Sequence, residues 1–371
     1  MKFTLERSVL LKSLGHVQSV VERRNTIPIL ANVLIRASGE EISFAATDME
    51  IEINETMKGQ VGKSGAITAP AHTLYEIVRK LPEGAQVELS AANANQLTLS
   101  AGRSHFKLGC LPVDDFPKMP EGDLKQKFSL DASDIRTLID CTRFAISTEE
   151  TRYYLNGIYL HTTKNKNVDV LRAVATDGHR LARVEMAAPK GSQGIPGIII
   201  PRKTVNEVRK LIEESSGIIE VALSEAKVRF TFDGVVITSK LIDGTFPDYE
   251  RVIPTGNDKT MEVETKAIEA ATDRVATISS EKSRAVKLAL TPGHLVLSAT
   301  SPEAGSATEE LEVKYDGALL DVGFNARYLL DILQQIEGDG VRFTLADATA
   351  PAIIQDVADP SALYVLMPMR V

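Results

Sequence analysis

Tryptophan is absent from this chain, aromatics make up only 5%, and just two cysteines and six histidines occur among 371 residues. Two cysteines exclude a disulfide-dense secreted scaffold. Cys110 and Cys141 stand in strand-like and helix-like apolar contexts, which reads as buried free thiols in a reducing compartment. No Cys or His pair has zinc-site spacing, so no metal and no cofactor is expected. No apolar run is long enough to cross a bilayer, so no membrane partner is expected. Glu6, Arg7 and Lys12 interrupt the N-terminal segment MKFTLERSVLLKSLG, which argues against a secretory leader and for a cytoplasmic protein. The phosphate-cradling pattern G-x-x-x-x-G-K is also missing. Basic charge is short as well: 42 Lys and Arg face 50 Asp and Glu, for a net −8. A protein that grips nucleic acid by neutralising phosphates is usually basic, so an ordinary tight DNA binder is disfavoured. The helix-like segments carry a slight basic excess, and the rest of the chain holds the acidic one.

What is present is repetition. KFTL at residues 2–5 returns as KFSL at 127–130, and AATDMEIEI at 45–53 returns as VATDGHRLA at 174–182. TLYEIVRKL at 73–81 returns as TVNEVRKL at 204–211, and both copies close on Phe-Pro, at Phe116 and Phe246. A fainter third copy runs through MEVETKAIEAATDRVATI, LVLSATSPEAG and NARYLLDILQQIEGDGVRFTL. Apolar spacing of i, i+3, i+4, i+7 predicts helices over 6–24, 72–81, 131–145, 202–214, 265–279 and 325–337. The first presents Val9, Leu10, Leu14, Val17 and Val21, and the third Ile135, Leu138, Ile139 and Phe144. Alternating segments between them predict strands. The fold class is α+β, with two helices per copy. The breaks at Pro120–Lys125 and Pro254–Lys259 divide the chain into domains 1–121, 122–256 and 257–371. Three such copies in a row form a curved array with an inner and an outer face.

The stretch ATDGHRLA places Asp177, Gly178, His179 and Arg180 side by side. An acid/base reading, as in a hydrolase, needs a nucleophile or metal, and none is near in sequence. Asp48 occupies the same position in the first copy, so the preferred role for Asp177 is to cap a turn by accepting backbone N–H groups. Gly178 to Leu181 have no counterpart there, because MEIE stands in their place.

Longer strings carry a resemblance. RNTIPILAN at 24–32, RYYLNG at 152–157, ATDGHRLA at 175–182, PRK at 201–203, SKLIDGTFPDYERVIP at 239–254, GFNARYLLDIL at 323–333 and YVLMPMR at 364–370 occur in order along the full length. In these the chain resembles the bacterial DNA polymerase III beta subunits, the replicative sliding clamps. The resemblance implies three clamp domains per chain and a head-to-tail homodimeric ring, with helices lining the hole and antiparallel sheets outside. It implies a processivity factor without catalysis, which encircles duplex DNA without sequence preference. It further implies that the polymerase III alpha subunit, the clamp loader, other polymerases and repair proteins dock through short linear motifs.

The resemblance assigns a partner-peptide pocket to Leu155, Thr176, Gly178, His179, Arg180, Leu181, Pro247, Arg251, Val252, Asn325, Tyr328, Val365, Met367, Pro368, Met369 and Arg370. Without it, the C-terminal LMPMR reads as an edge strand tucked into the core. DNA contacts fall on Lys12, Arg24, Tyr153, Tyr154, Arg202 and Lys203. Ring closure falls on Arg103, Phe106, Leu108, Thr277, Ile278 and Glu303. The pattern is departed from at His72, where a basic residue is frequent, and at Gly305, where an acidic one is found. Thr349 and Pro351 differ at pocket positions, and Glu149, in place of an uncharged polar residue, is expected to repel phosphate.

Overall fold

The computed structural model describes residues 1–24, 26–120, 122–213, 215–279 and 284–370. Glu121, the expected last residue of the first domain, and Val371 lie outside them. Six α-helices occur among the described residues: α1 (Arg7–Gln18), α2 (Ala71–Lys80), α3 (Ala132–Arg143), α4 (Arg202–Leu211), α5 (Thr265–Ala276) and α6 (Ala326–Leu333). All fall inside or against the spans read from the sequence. Each copy runs from one strand directly into a helix, then through several strands into a second helix and three more strands.

The apolar stripe of α1 needs one correction. Leu10, Leu14 and Val17 are buried, but Val9 is 43% exposed. Ser13 takes the inward position instead and donates to the buried Glu55 carboxylate at 2.9 Å. Cys110 and Cys141 are free but only half-buried.

All sheet pairing is antiparallel, and the sheets do not respect the copies. Strand Ile51–Lys58 of the first copy pairs with Val235–Lys240 of the second, with Ile53 opposite Ile237. Strand Arg180–Ala187 of the second pairs with Ala362–Leu366 of the third, with Leu181 opposite Val365. Two eight-stranded sheets result, alongside a five-stranded and a four-stranded one. The chain accordingly packs as two compact units. Unit 1 holds Met1–Arg136, Pro189–Ser192 and Lys203–Leu241, and unit 2 holds Thr137–Ala188, Gln193–Arg202 and Ile242–Val371. The second copy is shared because its strands continue two different sheets.

In unit 1, α1 packs on α2 and on the sheet strands Glu41–Thr47 and Ile51–Lys58. In unit 2, α5 packs on α6 and on the four-stranded sheet. Each unit also ends one sheet in an exposed edge strand, Ser104–Gly109 in unit 1 and Gly305–Glu312 in unit 2.

Candidate partner-docking site

The turn at Asp177 is built by its own side chain. Asp177 Oδ1 accepts the backbone N–H groups of His179 at 3.0 Å and Arg180 at 3.1 Å. Asp48 does the same in unit 1, accepting Glu50 N–H at 2.8 Å and Ile51 N–H at 2.7 Å. The shared aspartate is therefore a turn cap in both copies, as short polar side chains often are. Thr176 and Thr47 also match, each accepting the N–H two residues on. At the bend, Gly178 has φ +88° and Met49 φ +77°. A Cβ on Gly178 would be strained at this φ and would meet the Arg152 guanidinium at 2.5 Å, so the end of that side chain would have to shift.

Arg180 is a correction to its expected role as a contact residue. It is 8% exposed. Its guanidinium donates to Asp177 Oδ2 at 3.1 Å, Asp331 Oδ2 at 2.5 Å and the Phe144 carbonyl at 2.7 Å. Its carbon sits 4.3 Å from the centroid of the Tyr328 ring and 5.1 Å from that of Phe144. A planar cation stacked and bonded in this way orders its neighbours and has little left for a ligand. His179 is exposed, its imidazole 6.1 Å from the Tyr328 ring and nearly parallel to it. His179 and Tyr328 thus present an aromatic edge whose position Arg180 sets.

The C-terminal segment crosses this edge. Met367 N–H donates to the His179 carbonyl at 3.0 Å, and Met369 N–H to the Gly323 carbonyl at 2.9 Å. Met367 is 42% exposed. Asn325 Oδ1 caps α6 by accepting from Arg327 and Tyr328 N–H, which anchors the Tyr328 backbone. Leu155, Leu181 and Val365 share one buried cluster with Phe246, Tyr249 and Leu363, so they form a floor rather than a surface. Pro247 follows Phe246, and the short helix Tyr249–Val252 carries Arg251 and the 52% exposed Val252. Pro368 and Met369 are half-buried and Arg370 is exposed.

A polar network fixes that short helix. Arg172 donates to Glu185 at 2.6 Å, Tyr249 Oη at 3.1 Å and Glu250 at 2.5 Å. Burial opposes the Arg172 charge, but these bonds outweigh it and hold the guanidinium above its usual range. Tyr249 Oη also lies 3.0 Å from His161 Nε2, and burial pushes the His161 imidazole below its ordinary value.

Among the remaining candidates, Lys203 departs from expectation: its ammonium lies 2.5 Å from Asp48 and 3.1 Å from Glu22. Its charge is already answered within unit 1. Lys12, Arg24 and Arg202 are exposed, Tyr153 is 53% exposed, and Tyr153 and Tyr154 meet edge-to-face at 5.7 Å. Glu149 is held bidentately by Arg152 at 2.8 and 2.5 Å, and these bonds keep its carboxyl below the usual range. His72 instead bonds the Val21 carbonyl at 2.9 Å. Thr349 closes a turn on Asp347, and Pro351 O accepts from Asn257 at 2.9 Å. Phe106 and Leu108 lie on the edge strand of unit 1, with Arg103 just before it; Thr277 and Ile278 follow α5, and Glu303 precedes the edge strand of unit 2.

No role beside Arg180 or Gly178 was legible in the sequence for Phe144, Asp331 or Arg152. Phe144 and Asp331 reach Arg180 from 36 and 151 residues away, with no local signal.

Asp177 is thus a structural turn cap rather than one half of an acid–base pair, and the chain is a repeat protein of α+β units with antiparallel sheets. The relatives agree. Models of the DNA polymerase III beta subunit match residues 1–120 (N-terminal domain), 129–248 (central domain) and 250–370 (C-terminal domain). A beta sliding clamp of Caulobacter vibrioides is 55% identical over 372 residues, covering 100% of both chains. That of Escherichia coli is 38% identical over 373 residues, again with 100% of both covered. A sliding clamp (DNA polymerase III subunit beta) from Bartonella birtlesii, solved bound to griselimycin, aligns with a TM-score of 0.97 at 52% identity over 100% of each chain. This chain belongs to the DNA polymerase III beta subunit family, the sliding clamps of DNA replication.

Proposed function

We propose that two copies of this chain close head to tail into a ring around duplex DNA and hold the replicative polymerase there. The observation that carries the ring is the pair of exposed edge strands, Ser104–Gly109 in unit 1 and Gly305–Glu312 in unit 2. An open edge is an aggregation hazard unless a partner strand covers it, and the edge of a second copy is a natural cover. Phe106 and Leu108 of one copy then meet Thr277 and Ile278 of the other, with Arg103 facing Glu303. The chain divides functionally into the repeat-based domains 1–121, 122–256 and 257–371.

A closed ring is linked to DNA topologically, so a net charge of −8 is acceptable and strong phosphate contacts would only slow sliding. Exposed Lys12, Arg24 and Arg202, with Tyr153 and Tyr154, touch the duplex, while Lys203 acts through its ion pairs. The polymerase III alpha subunit, the clamp loader, other polymerases and repair proteins dock their linear motifs on the His179 face. The exposed Val252 and Met367 support that docking, since Met suits a groove that takes many ligands. The protein works in the cytoplasm.

The test is retention. Loaded protein should stay on nicked circular DNA through high salt and leave after linearisation. Salt-sensitive release from both forms would overturn the ring. Sedimentation should give twice the 40.3 kDa chain mass, and Phe106→Asp should reduce it to the single-chain value.

A further inference from the structure

The eight-stranded sheet of unit 1 has two faces. One packs on α1 through Ile42, Phe44 and Ile53, with Ile237 beside Ile53 on the same face, and all four are fully buried. Strand alternation sends their neighbours to the opposite face. There the registers line up Arg36 with Ser43, Ala45 with Asn54 and Val236, and Glu52 with Thr238 and Arg229. The segment Phe116–Met119 folds over these rows, and Met119 N–H donates to Glu52 at 3.3 Å. The result is a cleft of about 470 Å³, inside the range of ligand-binding sites.

Its chemistry is unlike that of unit 2. The register places Thr238 against Glu52 here, where unit 2 has Val365 against Leu181. Phe116-Pro117 stands where Phe246-Pro247 stands in unit 2. The apolar walls recur, but the paired residues have become polar, with Thr238 buried and Glu52 half-buried, and cations have been added. Arg36 and Lys118 are exposed and make no ion pair among the described residues. Arg229 spends one N–H on Thr238 at 3.1 Å. Glu52 balances one cation and leaves an excess of two.

We propose that this cleft is a second docking site, for a short peptide segment carrying carboxylates beside an apolar side chain. The carboxylates meet Arg36, Lys118 and the free edge of Arg229. The apolar side chain packs between Phe116 and Val236. A bare anion leaves the apolar wall uncovered, whereas a peptide of this kind matches both the wall and the cations. The inference stands on the lining of this cleft and not on the docking role of the His179 face.

The probe is a fluorescein-labelled hexapeptide alternating leucine and glutamate, titrated by anisotropy into the full chain. Saturable binding is expected, about tenfold weaker for the double variant R36Q/K118Q and for a leucine–glutamine hexapeptide. Both substituted side chains are exposed, and an unchanged melting temperature confirms that the variant is folded. The proposal is overturned by absent binding at millimolar concentration, or by equal binding of the two peptides or of variant and parent. It is equally overturned if inorganic phosphate or an oligothymidylate displaces the probe as readily as unlabelled acidic peptide does. Loss on His179→Ala with retention in R36Q/K118Q would put the peptide on the other face and also sink it.

Discussion

The Arg180 guanidinium carbon lies 4.3 Å from the centroid of the Tyr328 ring, and the His179 imidazole stacks on the same ring from 6.1 Å. Neighbours in sequence, the two basic residues have opposite duties. Arg180 is buried and bonded to Asp177, Asp331 and the Phe144 carbonyl, whereas His179 faces solvent. The first positions the surface and the second belongs to it.

Arg180→Ala should therefore cost stability, about 2–4 kcal/mol, because it leaves two carboxylates and a carbonyl without their donor. His179→Ala should change stability by no more than about 0.5 kcal/mol. It should still weaken a partner peptide by about tenfold through lost aromatic contact. Urea midpoints and peptide titration of both variants separate the two roles. A large stability loss in His179→Ala would contradict the assignment.

Gly178 and Met49 occupy the same left-handed turn position in the two units. Gly178→Ala adds a Cβ in a strained conformation against Arg152 and should destabilise by about 1–2 kcal/mol. Met49→Gly removes strain from the twin turn and should stabilise by about 0.5–1 kcal/mol. Met49 is 47% exposed, so little packing is lost. Opposite signs in thermal melts are the expected result.

Acid should weaken the network behind Val252. Burial holds the His161 pKa below its ordinary 6.5. A lowered folded-state pKa means that the unfolded chain takes up the proton first, so the contribution is intact above about pH 6.5 and is lost as pH falls towards the folded value. His161→Gln keeps a polar partner for Tyr249 without that titration. Its stability should fall less than the parent's between about pH 7 and pH 5. Denaturant midpoints at the two pH values measure the difference, and parallel falls would refute it.

Lys203 and Arg24 should separate in DNA binding. Arg24 is exposed, whereas Lys203 is paired with Asp48 and Glu22. Arg24→Gln should lower the slope of log affinity against log salt by about 0.9, the value for one lost phosphate contact. Lys203→Gln should leave that slope nearly unchanged. It should instead cost about 1 kcal/mol of stability, since it strips Asp48 of its cation. Duplex binding across a salt series, with a denaturation curve for each variant, tests both halves.

Much of this was legible in the chain. The six helices follow from apolar spacing, and the Asp48/Asp177 twin marks the turn without any tertiary information. Val9 was misjudged because periodicity marks a stripe but not its edge, and Ser13 can be buried when Glu55 meets it. Arg180 and Lys203 take their surroundings from distant residues. A cation's role depends on which carboxylates reach it, and Asp331 and Asp48 come from 151 and 155 residues away.

The sequence by itself determined the repeat, the two helices per copy, the capped turn and the full-length family match, because these rest on local spacing and on ordered strings. Tertiary structure alone decided the rest. Antiparallel pairing carried each sheet of the middle copy into a neighbour, so three repeats pack as two units. Register then set chemistry. The same pairing that buried Leu181 against Val365 in one unit placed Glu52 against Thr238 in the other, and a shared backbone plan came to carry an apolar floor in one place and a charged cleft in the other.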